Sequence, residues 1–357
     1  MSKIKIVIIC VIIVLGACGV GHPTSNTDGN VSVADGAPFT KGVSTLAGVA
    51  DPGFVDGDRN AARFNNPVNV AYGPDGMVYV ADFDNNKIRA VDANGRVTTI
   101  VAQNGFMRPF GLAFASDGTL FISTDNDQNG AHDPMSGSVW RVNLGATTAT
   151  IVANAIGRPR GIAMLGDGRL ALSDDEHAVV RLLDPSTGTL LDLAGTWDTV
   201  GYADAIGPAA RFATPYAIAL RGDGTLVVAD QGNNRIRVVA LDGSVTTLAG
   251  STAGYVDATL AHSQFDHPQA IIVAANGDIY VTDLDNFRVR RLRGDSVTTL
   301  VGDGIGGYKD ADDPLAAEVF GIEGIALSAD GQTLCIADGN RGNPVPFNRV
   351  RVVDLAP

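Results

Sequence analysis

One phrase recurs six times along this chain of 357 residues. Each copy has a turn dipeptide, a short β-rich run that ends in a polar, usually acidic residue, and a run in which Arg lies between aliphatic side chains. Self-similarity of this kind indicates a repeat architecture in which each unit packs on its neighbours. The turn dipeptides lie about 42 to 56 residues apart, at Asp75-Gly76, Asp117-Gly118, Asp167-Gly168, Asp223-Gly224, Asn276-Gly277 and Asp330-Gly331.

Each unit has room for four short strands. An inner strand precedes the turn, as at residues 68–71, and an outer strand lies near the end of the unit, as at residues 245–248. No helical periodicity separates them, and short strands joined by Gly-rich turns are typical of propeller blades. The sequence therefore predicts an all-β fold, a six-bladed β-propeller.

The two ends of the repeat region complement each other. The sixth unit stops after its third strand, at residues 350–353, and residues 43–48 (VSTLAG) nearly match the outer-strand phrase VTTLAG at 245–250. An N-terminal strand that completes the last blade closes the ring with backbone hydrogen bonds and leaves few exposed edges. We expect residues 43–357 to form one closed, monomeric propeller.

The N-terminus has the pattern of an export signal. Lys3 and Lys5 precede an apolar run at residues 6–15, which is too short to span a bilayer. Residues 15–18 (LGAC) resemble the bacterial lipobox, which implies cleavage before Cys18 and lipidation of that residue. The alternative is an ordinary signal peptide that contains a Cys.

These features predict three regions: a lipoprotein signal peptide at 1–17, a lipidated Cys18 with a flexible tether at 18–42, and the ring. The tether is rich in Gly, Ser, Thr, Asn and Pro. Acyl chains would anchor the protein to a membrane surface in the bacterial cell envelope. The anchoring surface would be the outer side of the cytoplasmic membrane or the outer membrane.

Several phrases resemble a known family. The first blade contains FNNPVNVA at residues 64–71 and VYVAD at 78–82, and it follows GFVDG at 53–57 and ARF at 62–64. The fourth and fifth blades repeat this pattern. Across about residues 43–357 the chain resembles the NHL repeat propellers, which implies the propeller fold. The resemblance leaves activity open, because this architecture hosts hydrolases, lyases, sensor domains and interaction modules.

Features that recur in nearly every blade are expected to be structural. We expect the acidic residues that end the second strands to pair with third-strand arginines through charge-assisted hydrogen bonds. The acidic residues are Asp82, Asp174, Asp230, Asp283 and Asp338, and the arginines are Arg89, Arg141, Arg181, Arg237, Arg290 and Arg351.

The second blade breaks the repeat. Thr124 replaces the acidic residue, and an inserted loop follows it. Its oxygen ligands at positions 1, 3, 5 and 9, with Gly at position 6, suit calcium. The candidate ligands are Asp125, Asp127, Asn129 and Asp133. The alternative is a polar surface loop.

The residues that begin the inner strands differ from blade to blade. In a propeller they surround one end of the central channel, which we call the channel mouth. Arg108, Arg158 and Arg160 would form a local basic patch there that suits a small anionic or polyhydroxy ligand. Alternatively, the arginines pair with loop carboxylates such as Asp174, Asp175 and Glu176. The candidate ligand-binding residues are Arg108, Phe110, Arg158, Arg160, Tyr216, His267, Gln269 and Glu323.

These observations favour a membrane-tethered binding or interaction module that recognises a ligand or an envelope protein. The formal charge of -13 argues against a nucleic-acid partner, since phosphate binding needs a basic face. The alternative is a metal-dependent hydrolase or lyase that uses the same mouth. A gluconolactonase-like site would use Glu323 and Asn69, but no convincing Asp partner follows. An amidating-lyase-like zinc site would need clustered histidines, whereas these are scattered.

Overall fold

The computed structural model describes residues 24–25, 31–32, 41–127, 129–343 and 345–355. The chain divides into two units, Met1–Pro38 and Phe39–Pro357. In the first unit, Thr24–Ser25 pairs antiparallel with Val31–Ser32 within the stretch expected to be a tether. The predicted signal peptide and lipidated Cys18 lie outside the described residues.

The described part of the second unit contains six four-stranded antiparallel sheets; in five of them every strand pairs with its neighbour along the chain. From the inner to the outer strand, blade 1 contains Pro67–Tyr72, Val78–Asp82, Lys87–Val91 and Val97–Val101; blade 2 contains Pro109–Phe114, Leu120–Thr124, Ser138–Val142 and Thr150–Ala153; blade 3 contains Pro159–Met164, Leu170–Asp174, Val179–Asp184 and Thr189–Gly195. Blade 4 contains Pro215–Leu220, Leu226–Asp230, Arg235–Val239 and Val245–Gly250; blade 5 contains Pro268–Val273, Ile279–Asp283, Arg288–Arg293 and Ser296–Val301; blade 6 contains Gly321–Leu327, Thr333–Gly339, Arg349–Asp354 and Val43–Ala47.

The N-terminal strand closes the ring, as the sequence predicts. Val43–Ala47 pairs antiparallel with Arg349–Asp354, with Thr45 opposite Arg351. Thr45 also donates its backbone N–H to Asp310, at 2.9 Å. The six-bladed all-β propeller is therefore confirmed, and its last blade is built from both ends of the repeat region.

Four 3-10 helices occur among the described residues: Gly207–Ala209, Gln231–Asn233, Leu260–His262 and Pro314–Ala316. Three of them lie in the long segments before blades 4, 5 and 6, where each packs on the outer strand of the preceding blade. The segments before blades 2 and 3 are much shorter, residues 102–108 and 154–158. No helix in the described part of the chain is long and apolar enough to cross a membrane.

The core lies between the blades. Second strands such as Val78–Asp82 are buried along their whole length, because both faces of each sheet contact a neighbouring sheet. Large aromatic rings from the long segments, such as Phe64 and Phe212, are fully buried beside them. Each such side chain contributes about 1.5 to 3 kcal/mol through removal of apolar surface from water.

A buried arginine stabilises each of blades 1, 4, 5 and 6 in the same way. In blade 1, Arg89 is 2.8 Å from Asp82 of its own blade and 2.6 Å from Asp56 of the preceding segment. Asp56 also accepts the backbone N–H of Thr99 in the outer strand. We call this unit the arginine brace. The corresponding arginines are Arg237, Arg290 and Arg351, and each contacts two aspartates.

The expectation of a common brace is wrong for blades 2 and 3. In blade 2 the position equivalent to Arg89 is occupied by Trp140 and not by Arg141. Trp140 pairs with Ile122 of the second strand, as Arg89 pairs with Val80 in blade 1. The Trp140 indole N–H donates to Thr124 at 3.0 Å, in place of an arginine–aspartate pair. Arg141 therefore lies on the other face of the sheet.

Blade 3 keeps the arginine but changes its partner. Arg181 contacts Asp192 of the outer strand at 2.7 Å and donates to the carbonyl of Ile156. Asp174 instead accepts a hydrogen bond from the ring of buried His177, at 2.9 Å. The short segment at residues 154–158 supplies no aspartate in the place of Asp56, which explains the rearrangement.

Candidate functional site at the channel mouth

The six inner strands surround a cavity of about 320 Å³ on the ring axis. Its apolar part is lined by aliphatic side chains that follow the strand starts, such as Leu112, Ile162, Ile218 and Ile325. Its polar end carries Phe110, Arg160, Tyr216 and Glu323, one from each of four inner strands. This end is the channel mouth predicted from the sequence.

Arg160 lies at the centre of the channel mouth. It is buried, and its guanidinium carbon is 4.1 Å from the centre of the Phe110 ring and 5.7 Å from that of Tyr216. Burial by itself disfavours the charged guanidinium, but the carboxylates of Asp125, Asp175 and Glu323 favour it, and the pKa of Arg160 is raised. The aromatic rings and carboxylates hold this cation in place.

Two carboxylates from neighbouring loops compensate the charge of Arg160. Asp125, from the inserted loop of blade 2, is buried and lies 2.9 Å from a terminal nitrogen of Arg160. Asp175 follows the second strand of blade 3, and one of its oxygens is 3.6 Å from Nε of Arg160. Burial raises the pKa of Asp175 to about 6, although Arg160 and Arg158 oppose the rise.

Arg158 contacts the same carboxylates from a more exposed position. Its guanidinium lies 3.6 Å from Asp125, 3.8 Å from Asp175 and 3.2 Å from Glu176. The arginines therefore pair with loop carboxylates, as the alternative interpretation of the sequence expected for Asp175 and Glu176. Asp125 is a further partner that the sequence did not suggest. The positive charges of Arg158 and Arg160 are therefore balanced by these carboxylates.

Arg108 faces a different group. It lies 3.0 Å from a ring nitrogen of His132, and its guanidinium is 5.5 Å from the centre of the Phe83 ring. The side chains of Arg108 and Arg160 thus share Phe83, which the sequence did not single out. The three arginines do not meet at a single point.

Glu323 and Tyr216 form a second polar contact at the channel mouth. Burial raises the pKa of Glu323, while Arg160, Arg341 and a hydrogen bond from Tyr216 oppose the rise. Burial also raises the pKa of Tyr216, which stays protonated and donates its hydroxyl. Asn69, the other residue considered for a gluconolactonase-like metal, accepts the backbone N–H of Val70.

Some hydrogen-bonding groups at the channel mouth have no partner of normal geometry among the described residues. They include Nε of Arg158, Nε of Arg160, Oδ2 of Asp125, Oδ1 of Asp175 and Oε1 of buried Gln269. Buried polar atoms of this kind cost free energy unless something binds to them. Donors and acceptors are both present, so a ligand that has both would satisfy them best.

His267 lies at the rim and is half exposed. Its Nδ1 is 2.9 Å from Asp266 and 2.8 Å from Asp285. Among the described residues, these three form the one group of His, Cys, Asp or Glu side chains close enough for a metal ion. Arg341 contacts Asp285 at 2.7 Å and already supplies a positive charge.

The candidate calcium ligands of the inserted loop face different partners. Asp125 lies against Arg160, whereas Asp127 accepts the backbone N–H groups of Asn129 and Ala131. Asp133 accepts the N–H of Met135. Calcium binding by this loop stays a prediction, and the structure assigns Asp125 a role that its spacing did not suggest.

Comparison with known proteins agrees with the geometry. Over 323 residues the chain is 26% identical to NHL repeat-containing protein 2 of Homo sapiens, a match that covers 86% of this chain, and the arginine brace recurs in four blades. The resemblance to the NHL repeat propellers is therefore confirmed. Over 278 residues it is also 27% identical to the Arabidopsis thaliana protein SUPPRESSOR OF QUENCHING 1, chloroplastic, a match that covers 68% of this chain.

These matched regions span only 41% of the human protein and 26% of the Arabidopsis protein. No family model matches this chain. Among solved structures, it is similar to an auxiliary nutrient binding protein from Bacteroides ovatus, with a TM-score of 0.69 and 21% identity over 87% of this chain and 75% of that one. A streptogramin B lyase has a TM-score of 0.54 and 15% identity over 87% and 96%. These similarities support the fold.

Proposed function

We propose that this NHL propeller binds a small polyhydroxy ligand at the channel mouth. The observation that carries the proposal is the set of buried donors and acceptors around Arg158, Arg160 and Asp175. The Nε atoms of the two arginines approach the Asp175 carboxylate only to 3.8 and 3.6 Å and make no normal hydrogen bond. A sugar hydroxyl both donates and accepts, so one ligand can satisfy both kinds of group. Phe83, Phe110 and Tyr216 offer apolar ring surface beside them.

An anionic ligand is less compatible with this arrangement. The guanidinium groups of Arg158 and Arg160 are compensated by Asp125 and Asp175, and Glu176 and Glu323 add further negative charge. An anionic ligand would lie close to these carboxylates, and like charges at such distances repel strongly. The name of the nutrient binding protein supports a binding role, but it describes that protein and not this one.

The test is a thermal-shift and calorimetric screen of the full chain. The probes are neutral mono- and disaccharides, each paired with its uronate. We expect a neutral sugar to raise the melting temperature more than its uronate does. Tyr216→Phe and Asp175→Asn should each weaken sugar binding at least about tenfold, since each removes a buried hydrogen bond to the ligand or its neighbour.

The matched control is Asp223→Asn, which removes an exposed turn carboxylate of blade 4 at the other end of the channel and should not change binding. If only uronates or other anions stabilise the protein, the arginines dominate the site and the proposal is wrong. Sugar binding that survives both Tyr216→Phe and Asp175→Asn would place the site elsewhere.

We also propose that Cys18 carries lipid and tethers the propeller to the cell envelope. The LGAC sequence at residues 15–18 supports this. Metabolic labelling with an alkyne fatty acid should modify the wild type and not Cys18→Ser. Equal labelling of both proteins would contradict the proposal.

A further inference from the structure

A second and larger cavity lies between blades 2 and 3, at the ends of their inner strands away from the channel mouth. Its volume is about 1080 Å³. We call it the blade 2–3 cleft. Its walls are Ser116, Arg141, Thr148 and Thr150 on one side and Met164 and Ser186 on the other.

The short segment before blade 3 explains why this cleft is open. At the next three junctions, a 3-10 helix packs on the outer strand of the preceding blade. Residues 154–158 contain no such helix, so the outer strand of blade 2 lacks this cover. Thr148 and Thr150 of that strand line the cleft.

Arg141 provides the positive charge of the cleft. Because Trp140 occupies the brace position, Arg141 projects from the opposite face of the sheet and is exposed. Its hydrogen bond to Thr150 is long, at 3.4 Å, and among the described residues no carboxylate forms an ion pair with it. The acidic residue of the cleft, Asp117, is satisfied by the backbone N–H of Thr119.

The inner end of the cleft is apolar. Phe114, Met164 and Leu220 line both the cleft and the axial cavity. The wall therefore changes from a guanidinium and hydroxyl groups at the rim to apolar side chains near the axis. A ligand that matches both ends needs one anionic group and an apolar body.

We propose that the blade 2–3 cleft binds a carboxylic acid with an apolar chain. The carboxylate pairs with Arg141 and the nearby hydroxyl groups, since arginine presents paired donors that match a carboxylate. The chain lies against Phe114 and Met164. This site is separate from the channel mouth and does not depend on the function proposed for the mouth.

The cleft contains a position suited to a blocking variant. A Cβ atom on Gly166 would meet no heavy atom within 4 Å, and the backbone there is not left-handed. Gly166→Trp should therefore fill the cleft without strain in the fold. Gly222 occupies the corresponding turn of blade 4 and is equally open, so Gly222→Trp is the matched control.

The experiment is calorimetric titration of the full chain with sodium octanoate. We expect binding that weakens at least tenfold in Arg141→Gln and in Gly166→Trp but is unchanged in Gly222→Trp. Octan-1-ol, which lacks the carboxylate, should bind at least tenfold more weakly than octanoate. Each variant is first shown to unfold cooperatively, as the wild type does.

Arg141→Lys distinguishes paired hydrogen bonding from charge alone and should recover only part of the affinity. Octanoate binding that is lost in Arg141→Gln but kept in Gly166→Trp would place the anion on the rim, and this would overturn the proposal. Absence of octanoate binding, or binding unaffected by either substitution, would also overturn it.

Discussion

Blades 1, 4, 5 and 6 differ from blades 2 and 3 in how they use arginine. In the first group a buried arginine is fixed between two aspartates, one of which comes from a long preceding segment. In the second group that segment is short, and Trp140 or an altered pairing of Arg181 replaces the brace. The charged side chains of Arg141 and Arg160 line cavities instead.

The difference indicates that some blades stabilise the ring while others provide the candidate binding sites. A fully paired buried charge fixes the packing of a blade but has no capacity left for a ligand. At blades 2 and 3, aromatic rings and short loops maintain the packing, and polar groups with spare hydrogen-bonding capacity line the channel mouth and the cleft. Function is therefore expected where the repeat is least regular.

Ring closure should produce the largest effect. Deletion of Val43–Ala47 removes the outer strand of blade 6 and the hydrogen bonds of Thr45 to Asp310, so an edge is exposed. We expect loss of cooperative thermal unfolding and aggregation, measured by calorimetry and light scattering. An unchanged melting curve would mean that the brace of blade 6 forms without the N-terminal strand.

Removal of a bracing arginine should come next. Arg237→Met leaves Asp230 buried without its cation, and this should lower the free energy of unfolding by about 3 to 5 kcal/mol. Arg141→Met is the matched control, because an exposed arginine contributes within about 0.5 kcal/mol. Urea denaturation measures both. Similar losses in the two variants would contradict the comparison.

The carboxylate of Asp175, at the channel mouth, should affect how the free energy of unfolding depends on pH. The folded-state pKa of Asp175, about 6, is higher than the ordinary value of about 3.9. The folded protein therefore binds more protons between about pH 4 and 6, and the free energy of unfolding falls as the pH rises through this window. In Asp175→Asn this component should disappear.

The melting temperature of both proteins, measured from pH 4 to 7, provides the check. Asp82 and Asp283, whose pKa values burial also raises to about 6, remain in both proteins and cancel in the difference. Parallel curves for wild type and Asp175→Asn would show that Asp175 does not titrate in this range.

The hydrogen bond from Trp140 to Thr124, which replaces the arginine brace in blade 2, should contribute less to the free energy of unfolding than a brace does. Trp140→Phe keeps an aromatic ring but removes the hydrogen bond to Thr124. The expected loss is about 1 kcal/mol, which is typical of one neutral buried hydrogen bond. A loss as large as that of Arg237→Met, measured in the same urea series, would mean that the two ways of stabilising a blade are equivalent.

The smallest expected effect concerns calcium at the inserted loop. If Asp127, Asn129 and Asp133 bind calcium, millimolar calcium should raise the melting temperature of the wild type slightly, since only a ligand of the folded state stabilises it. Asp127→Ala should not respond. Identical melting of the wild type with calcium and with chelator would exclude this site.

Much of the candidate site follows from position in the repeat. The starts of the inner strands predicted Phe110, Arg160, Tyr216 and Glu323 at one end of the channel, and all four lie there. Phe83 and the pairing of Asp125 with Arg160 were missed, because each contact joins a loop of one blade to the inner strand of another. A repeat pattern identifies equivalent positions but does not specify contacts between non-equivalent ones.

The sequence by itself determined the number of blades, the order of the strands and the closure of the ring. These depend on local turn chemistry and on backbone pairing, which repeat along the chain. The tertiary structure alone decided that Trp140 and not Arg141 aligns with the bracing arginines, because a shift of one residue in strand register moves a side chain to the opposite face of the sheet. It also decided that Asp125 compensates Arg160, since these charges belong to different blades and become partners only when the blades pack.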